Sequence, residues 1–166
     1  MRQSAGSEEP ASVNLGEVLD ELRIVTSPSL EESGVLVRWH VPDGLPRVWA
    51  ERHNLLQALL NLTKNSLRAK ADRDVKEFRV SACVEGERVV VRVRDTGGGI
   101  SNPEHLFQPF QEGAEAAGLG LYLSRALVRT FQGDLRYEPA SPGCCFALDL
   151  VPCVGQGCEE GGSVSV

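Results

Sequence analysis

Gln57, Asn61 and Asn65 lie four residues apart, and Arg68 follows three residues later. In a helix, all four side chains line nearly one face. Mid-helix asparagine costs a little relative to alanine. A solvated polar stripe on an amphipathic helix is the plain alternative. Further on, Asp95-Thr96-Gly97-Gly98-Gly99-Ile100 directly follows an alternating apolar run. A carboxylate at a strand end can accept a hydrogen bond from an exocyclic amine. The glycines allow a tight turn and close approach to a flat ligand. A glycine-rich turn with no ligand reads the same way. Gly118-Leu119-Gly120-Leu121 opens another helical pattern. Glycines there leave backbone N–H groups free to face phosphate oxygens at a helix N-terminus. Alone, the pair is weak and also fits a simple helix start. Finally, Leu106-Phe107-Gln108-Pro109-Phe110 brackets a proline with two aromatics. That suits the anchored base of a loop, and equally ordinary core packing.

These residues need elements to hold them. Leu15, Val18, Leu19, Leu22 and Val25 recur at helical spacing and predict a helix over 15–32, with Pro28 kinking or ending it. Val35, Val37, Trp39 and Val41 alternate as a strand does, and Pro42-Asp43-Gly44 turns the chain. The longest helix is expected over 50–71, with Leu55, Leu56, Leu59, Leu62 and Leu67 as its apolar stripe. Two strands, 77–85 and 88–95, join at Glu85-Gly86-Glu87 as a hairpin. Within the second, Val89, Val91 and Val93 face one way, and Val90, Arg92 and Arg94 the other. A helix over 118–130 is expected to turn Leu119, Tyr122, Leu123, Ala126 and Leu127 to one side, with Gly133 ending it. Strands around 134–138 and 144–151 close the fold. Helices gathered on one face of a mostly antiparallel sheet give an α+β two-layer sandwich.

The 166 residues fit one domain, with 42% hydrophobic and 24% charged residues as in ordinary globular proteins. The net charge of −6 argues against nucleic-acid binding, which favours a basic face. A phosphate site needs only local donors and stays compatible with it. No apolar run approaches the roughly 18 residues of a membrane-spanning helix, so no direct membrane contact is expected here. Met1–Ser12 lacks a signal-peptide stretch. The five cysteines are irregularly spaced and complete no zinc motif, which points to reduced thiols and a cytoplasmic domain. A membrane anchor elsewhere in a longer protein is compatible with this. Residues 1–12 read as a disordered linker, 13–152 as the folded domain and 153–166 as a flexible tail.

The boxes persuade by their order. Leu59-Leu60-Asn61 through Ala69, the 95–100 segment, the 106–110 segment and Gly118 through Val128 follow one another within about 70 residues. In this arrangement the chain resembles the GHKL superfamily, and within it the ATP-binding catalytic domain of bacterial sensor histidine kinases. The resemblance implies the Bergerat ATP fold. Asn65 matches the N-box residue that ligands magnesium, whose preference is for hard oxygen donors. Asn61 matches the position where gyrase-like relatives carry a water-activating glutamate. An amide cannot act as a general base, which favours phosphoryl transfer to a protein over rapid hydrolysis. Arg68 matches a phosphate-contacting basic position. Asp95 matches the carboxylate that reads the adenine amine, with Gly97, Gly99 and Ile100 completing that box. Phe107 and Phe110 match the F box, and Gly118, Leu119 and Gly120 the second glycine box, which meets the phosphates.

The implied function is transfer of the ATP γ-phosphoryl group to a histidine on a separate helical dimerisation and phosphoacceptor domain, with a response regulator served indirectly. ATP and magnesium are the implied ligands. A regulatory pseudokinase or an anti-sigma-type serine kinase of the same superfamily is the alternative. Two departures matter. Ala116-Ala117 stands where relatives carry Gly-Thr, and the lid from Gln111 to Ala117 carries Glu112 and Glu115 and no lysine or arginine. His40, His53 and His105 lack the acceptor motif, so the phosphoacceptor is expected on another domain.

Overall fold

A computed structural model describes residues 9–72, 77–96, 115–139 and 144–153, with side chains described except at 66–72, 115–120 and 144. The elements in chain order are β1 (Ala11–Val13), α1 (Leu15–Ser33), β2 (Leu36–His40), β3 (Arg47–Ala50), α2 (Arg52–Asp72), β4 (Glu77–Glu85), β5 (Arg88–Asp95), α3 (Glu115–Arg129), β6 (Asp134–Pro139) and β7 (Cys144–Cys153). The strands form a seven-stranded sheet in the order β1-β3-β7-β5-β4-β2, with β6 also paired to β7. All pairings are antiparallel except β2 with β4. The fold is α+β, with a mixed and mostly antiparallel sheet, as expected.

One sheet face is apolar and faces the helices. Cross-strand rows Val80–Val93–Phe146 and Ala82–Val91–Leu148–Leu135 run across it. They join one core with Leu15, Val18, Leu19 and Leu22 of α1, and Leu55, Leu59 and Leu62 of α2. Each such buried side chain contributes roughly 1.5–3 kcal/mol of transfer free energy. The opposite face is a charged ladder. Arg92 bonds both Glu85 and Glu138, and Arg136 bonds Glu138 and Asp149. Ala147 lies in register between Arg92 and Arg136 and is fully buried. Long arginine stems can cover such a small residue while their heads stay wet.

Several expectations need correction. Pro28 does not end α1, which runs to Ser33 and closes on Gly34 at φ 75°. The carbonyl that Pro28 leaves without a donor is that of Ile24, on an exposed turn where water reaches it. Ala50 belongs to β3, so the long helix begins at Arg52. β3 and β1 had no sequence signal strong enough to predict them, and Ala11 and Ser12 pair with Ala50 and Trp49 in place of a disordered linker. Cys153, assigned to the tail, is still in β7.

α3 starts at Glu115, three residues before the expected point. Glutamate is favourable at a helix N-terminus and Ala116-Ala117 are strong helix formers. Gly118 is therefore the fourth helical residue and Gly120 the sixth. In α1 and α2 the fourth residue, Val18 and Leu55, already donates its N–H to the carbonyl of the capping residue, so the free N–H groups of α3 come before both glycines. The side of α3 that carries Tyr122, Leu123 and Ala126 is not the one packed into the core. Tyr122 and Leu123 are 41% and 45% exposed, and Ala126 is exposed as well. The buried stripe is Leu121, Ser124 and Val128.

Candidate functional site

α2 is launched by Glu51, which is buried although charged. Its carboxylate accepts from the backbone N–H of His53 at 3.0 Å and of Asn54 at 2.9 Å. These are N-terminal donors that no carbonyl can reach, so the side chain caps the helix. Arg52 bonds Glu21 of α1 at 2.9 Å and ties the two helices on the outside. The apolar stripe of α2 faces the sheet, which turns Gln57, Asn61 and Asn65 along another side, each half-buried.

Asn61 is held at both ends of its amide. Its Oδ1 accepts from Gln57 Nε2 at 3.3 Å, and its Nδ2 donates to Ser124 Oγ at 3.0 Å. Ser124 comes from α3 and is fully buried. The packing of α2 on α3 therefore places the asparagine face beside the helix whose start carries Gly118.

Asp95 ends β5 on the helix-facing side of the sheet, in register with Phe78 and Cys144, and is 1% exposed. Buried carboxylates are retained only where polar partners or a ligand compensate. The next residue fixes the end of the strand. Thr96 N–H donates to Glu77 O at 3.1 Å, and Glu77 N–H donates to Thr96 Oγ1 at 3.0 Å. This clamp fixes the end of β5 against the start of β4.

Of the predicted site residues, Asn61, Asn65 and Asp95 are described in full. Arg68 lies on α2, and Gly118, Leu119 and Gly120 on α3, by backbone alone. Gly97, Gly99, Ile100, Phe107 and Phe110 lie outside the described residues, as does His105. His40 and His53 are exposed. Sequence reasoning missed Ser124 and Glu51. The signal for Ser124 is its position, three residues after Leu121 and four before Val128, inside an apolar stripe. For Glu51 it is an acidic residue immediately before a helical pattern.

Among the described residues no group of three or more His, Cys, Asp or Glu side chains could hold a metal. An ion here would rest on an amide oxygen such as that of Asn65 and on the ligand's own phosphates. That donor set fits magnesium, which is bound by few protein oxygens and keeps waters or phosphates as its other ligands. Cys83, Cys145 and Cys153 carry free thiols, and burial pushes the Cys145 thiol up to about 11, leaving it protonated and unreactive at neutral pH.

Comparison with known proteins agrees with this fold and adds the family. Residues 50–154 match the family model described as histidine kinase-, DNA gyrase B- and HSP90-like ATPase. The chain is 33% identical over 146 residues to the C4-dicarboxylate transport sensor protein DctS of Rhodobacter capsulatus, covering 84% of this chain and 22% of DctS. It is 29% identical to the sensor protein FixL of Bradyrhizobium diazoefficiens, covering 87% of this chain and 30% of FixL. The chain thus spans less than a third of the length of either relative. The catalytic domain of histidine kinase ThkA superposes with a TM-score of 0.76 at 22% identity, covering 87% of this chain and 96% of that domain. Full-length ShkA in complex with AMPPNP superposes with a TM-score of 0.74 at 24% identity, covering 93% of this chain and 33% of ShkA. The chain belongs to the family of histidine kinase-, DNA gyrase B- and HSP90-like ATPases, and the relatives it matches include sensor proteins and histidine kinases.

Proposed function

We propose that this chain is the ATP-binding catalytic domain of a cytoplasmic sensor-kinase region, and that it phosphorylates a histidine on a separate helical dimerisation domain. The observation that carries the proposal is the amide at Asn61. It stands on the asparagine face where a carboxylate would serve as a water-activating base, and both its ends are already hydrogen-bonded. An amide in that place removes general-base help to water. Bound ATP is then preserved for an acceptor brought from outside. Relatives that are sensor histidine kinases favour this reading over the serine-kinase alternative.

On this reading Asp95 accepts a hydrogen bond from the adenine amine, and Asn65 offers its amide oxygen to magnesium. Arg68 and the free N–H groups at the start of α3 balance phosphate charge. Magnesium, when bound, supplies charge neutralisation between the phosphates. The imidazole nitrogen of the acceptor forms a bond to the γ-phosphorus as the bond to the ADP oxygen breaks, and the imidazole gives up its proton. Positioning and electrostatics do most of the work in such transfers. A response regulator would take the phosphoryl group later.

The test is titration with a fluorescent ATP analogue, with and without magnesium. Asp95→Asn is expected to weaken binding roughly tenfold or more, the scale of a charged hydrogen bond. Asn65→Ala should remove most of the magnesium dependence. Unchanged binding in both variants would sink the assignment. Mixing the chain with its helical partner and labelled ATP should yield acid-labile phosphoprotein. An acid-stable product would point to serine instead.

A further inference from the structure

Ser124 is a polar residue where the helix pattern calls for an apolar one. It lies between Leu121 and Val128 on the buried stripe of α3 and has no exposure at all. A buried hydroxyl is costly unless it is hydrogen-bonded. One of its partners is the Nδ2 of Asn61, at 3.0 Å and 63 residues away in sequence. The bond crosses from α3 to α2. On the α3 side it lies nine residues after Glu115, about two and a half helical turns from the helix start, and six after Gly118. On the α2 side it lies one turn before Asn65. The two helix segments it joins are those assigned above to the phosphates and to the metal.

The same bond orients Asn61. With Oδ1 accepting from Gln57 and one Nδ2 hydrogen committed to Ser124, Asn61 has one N–H and one Oδ1 lone pair left over for a ligand. The two bonds together hold the amide in one orientation, so that its remaining N–H and oxygen lone pair point in fixed directions. Without Ser124 the amide keeps only the bond from Gln57, so its orientation is no longer fixed, and the packing of α3 on α2 loses this hydrogen bond.

We infer that Ser124 is a positioning residue for the metal–phosphate geometry, acting through Asn61 to hold the start of α3 in register with Asn65. The inference rests on the ATP-binding reading above. Outer partners that orient a ligand-binding group are commonly worth about 10–100-fold in metal affinity when removed.

The experiment measures binding of a fluorescent ATP analogue by the full 166-residue chain as magnesium is varied. It compares wild type, Ser124→Ala, Asn61→Ala, the double variant and Asn65→Ala, with each melting temperature as a folding control. Ser124→Ala is expected to raise the half-saturating magnesium concentration roughly tenfold and to change magnesium-free binding by less than about twofold. The double variant should match Asn61→Ala, because the two residues act as one unit. Ser124→Thr keeps the hydroxyl and should restore the wild-type magnesium profile. An unchanged magnesium midpoint in Ser124→Ala, beside a shifted one in Asn65→Ala, overturns the inference and leaves the ATP reading standing. Equal losses with and without magnesium, or additive effects in the double variant, also overturn it and leave Ser124 as scaffold. No shift in Asn65→Ala takes down the reading and the inference together.

Discussion

Glu51 shows how a single side chain can place a site it never touches. Its carboxylate is 4% exposed and is committed to the N–H groups of His53 and Asn54. That fixes the first turn of α2, and with it the rotation of the helix that turns Asn61 and Asn65 away from the sheet. Glu51→Ala should cost about 0.5–2 kcal/mol, as for the loss of other capping side chains. Urea denaturation measures this. A variant as stable as wild type would mean that the cap contributes nothing. Asp95 was legible in the sequence because a strand end followed by glycines is a local pattern. Ser124 was not, because a serine in an apolar stripe gives no sign of its partner.

The three helices were each visible as periodic patterns, but their ends and faces were set by neighbours. α3 is the clearest case. It was expected to run to about Thr130 with Gly133 as the terminating residue; it ends at Arg129, and the left-handed residue is Gln132, at φ 69°. Gly133 is needed for a different reason. A Cβ on it would lie 2.5 Å from the backbone oxygen of Asp149 and 3.2 Å from that of Val128. The glycine lets the end of α3 sit directly against β7, and its N–H closes the turn on Val128 O at 2.9 Å. Gly133→Ala must push two backbone segments apart, at a cost of about 1–3 kcal/mol. A chemical denaturation curve with an unchanged midpoint would contradict this close approach. The exposed Tyr122 and Leu123 belong to the same lesson. Apolar residues at helical spacing mark a possible inner face, and only the facing helix decides whether it is used.

At the scale of the whole molecule, the helix-free face of the sheet is stabilised by charge. The Arg92 guanidinium, hydrogen-bonded to Glu85, holds that carboxyl down at about 2, from an ordinary value of 4.5. Arg92 also holds Glu138 below the usual carboxylate range. A folded-state pKa below the unfolded one gives stability that is fully present above the ordinary value and lost as protons bind. Melting temperature should therefore fall as pH drops from about 4.5 towards 2, and fall less steeply in Arg92→Gln. These groups are wet enough that the effect should be modest and weaken in high salt. Identical acid profiles for the two proteins would remove the ladder from the stability account. Three helices, five of the seven strands and the α+β class follow from the sequence alone, because strand alternation, helix periodicity and glycine-rich turns are written within a few neighbouring residues. Only the tertiary structure decided that β2 runs parallel to β4, that β1 and β3 extend the sheet, that Glu51 caps α2 and that α3 turns Ser124 inwards. Each of these depends on a partner distant in the chain. A buried polar group is stable only when that partner arrives, as Asn61 does for Ser124.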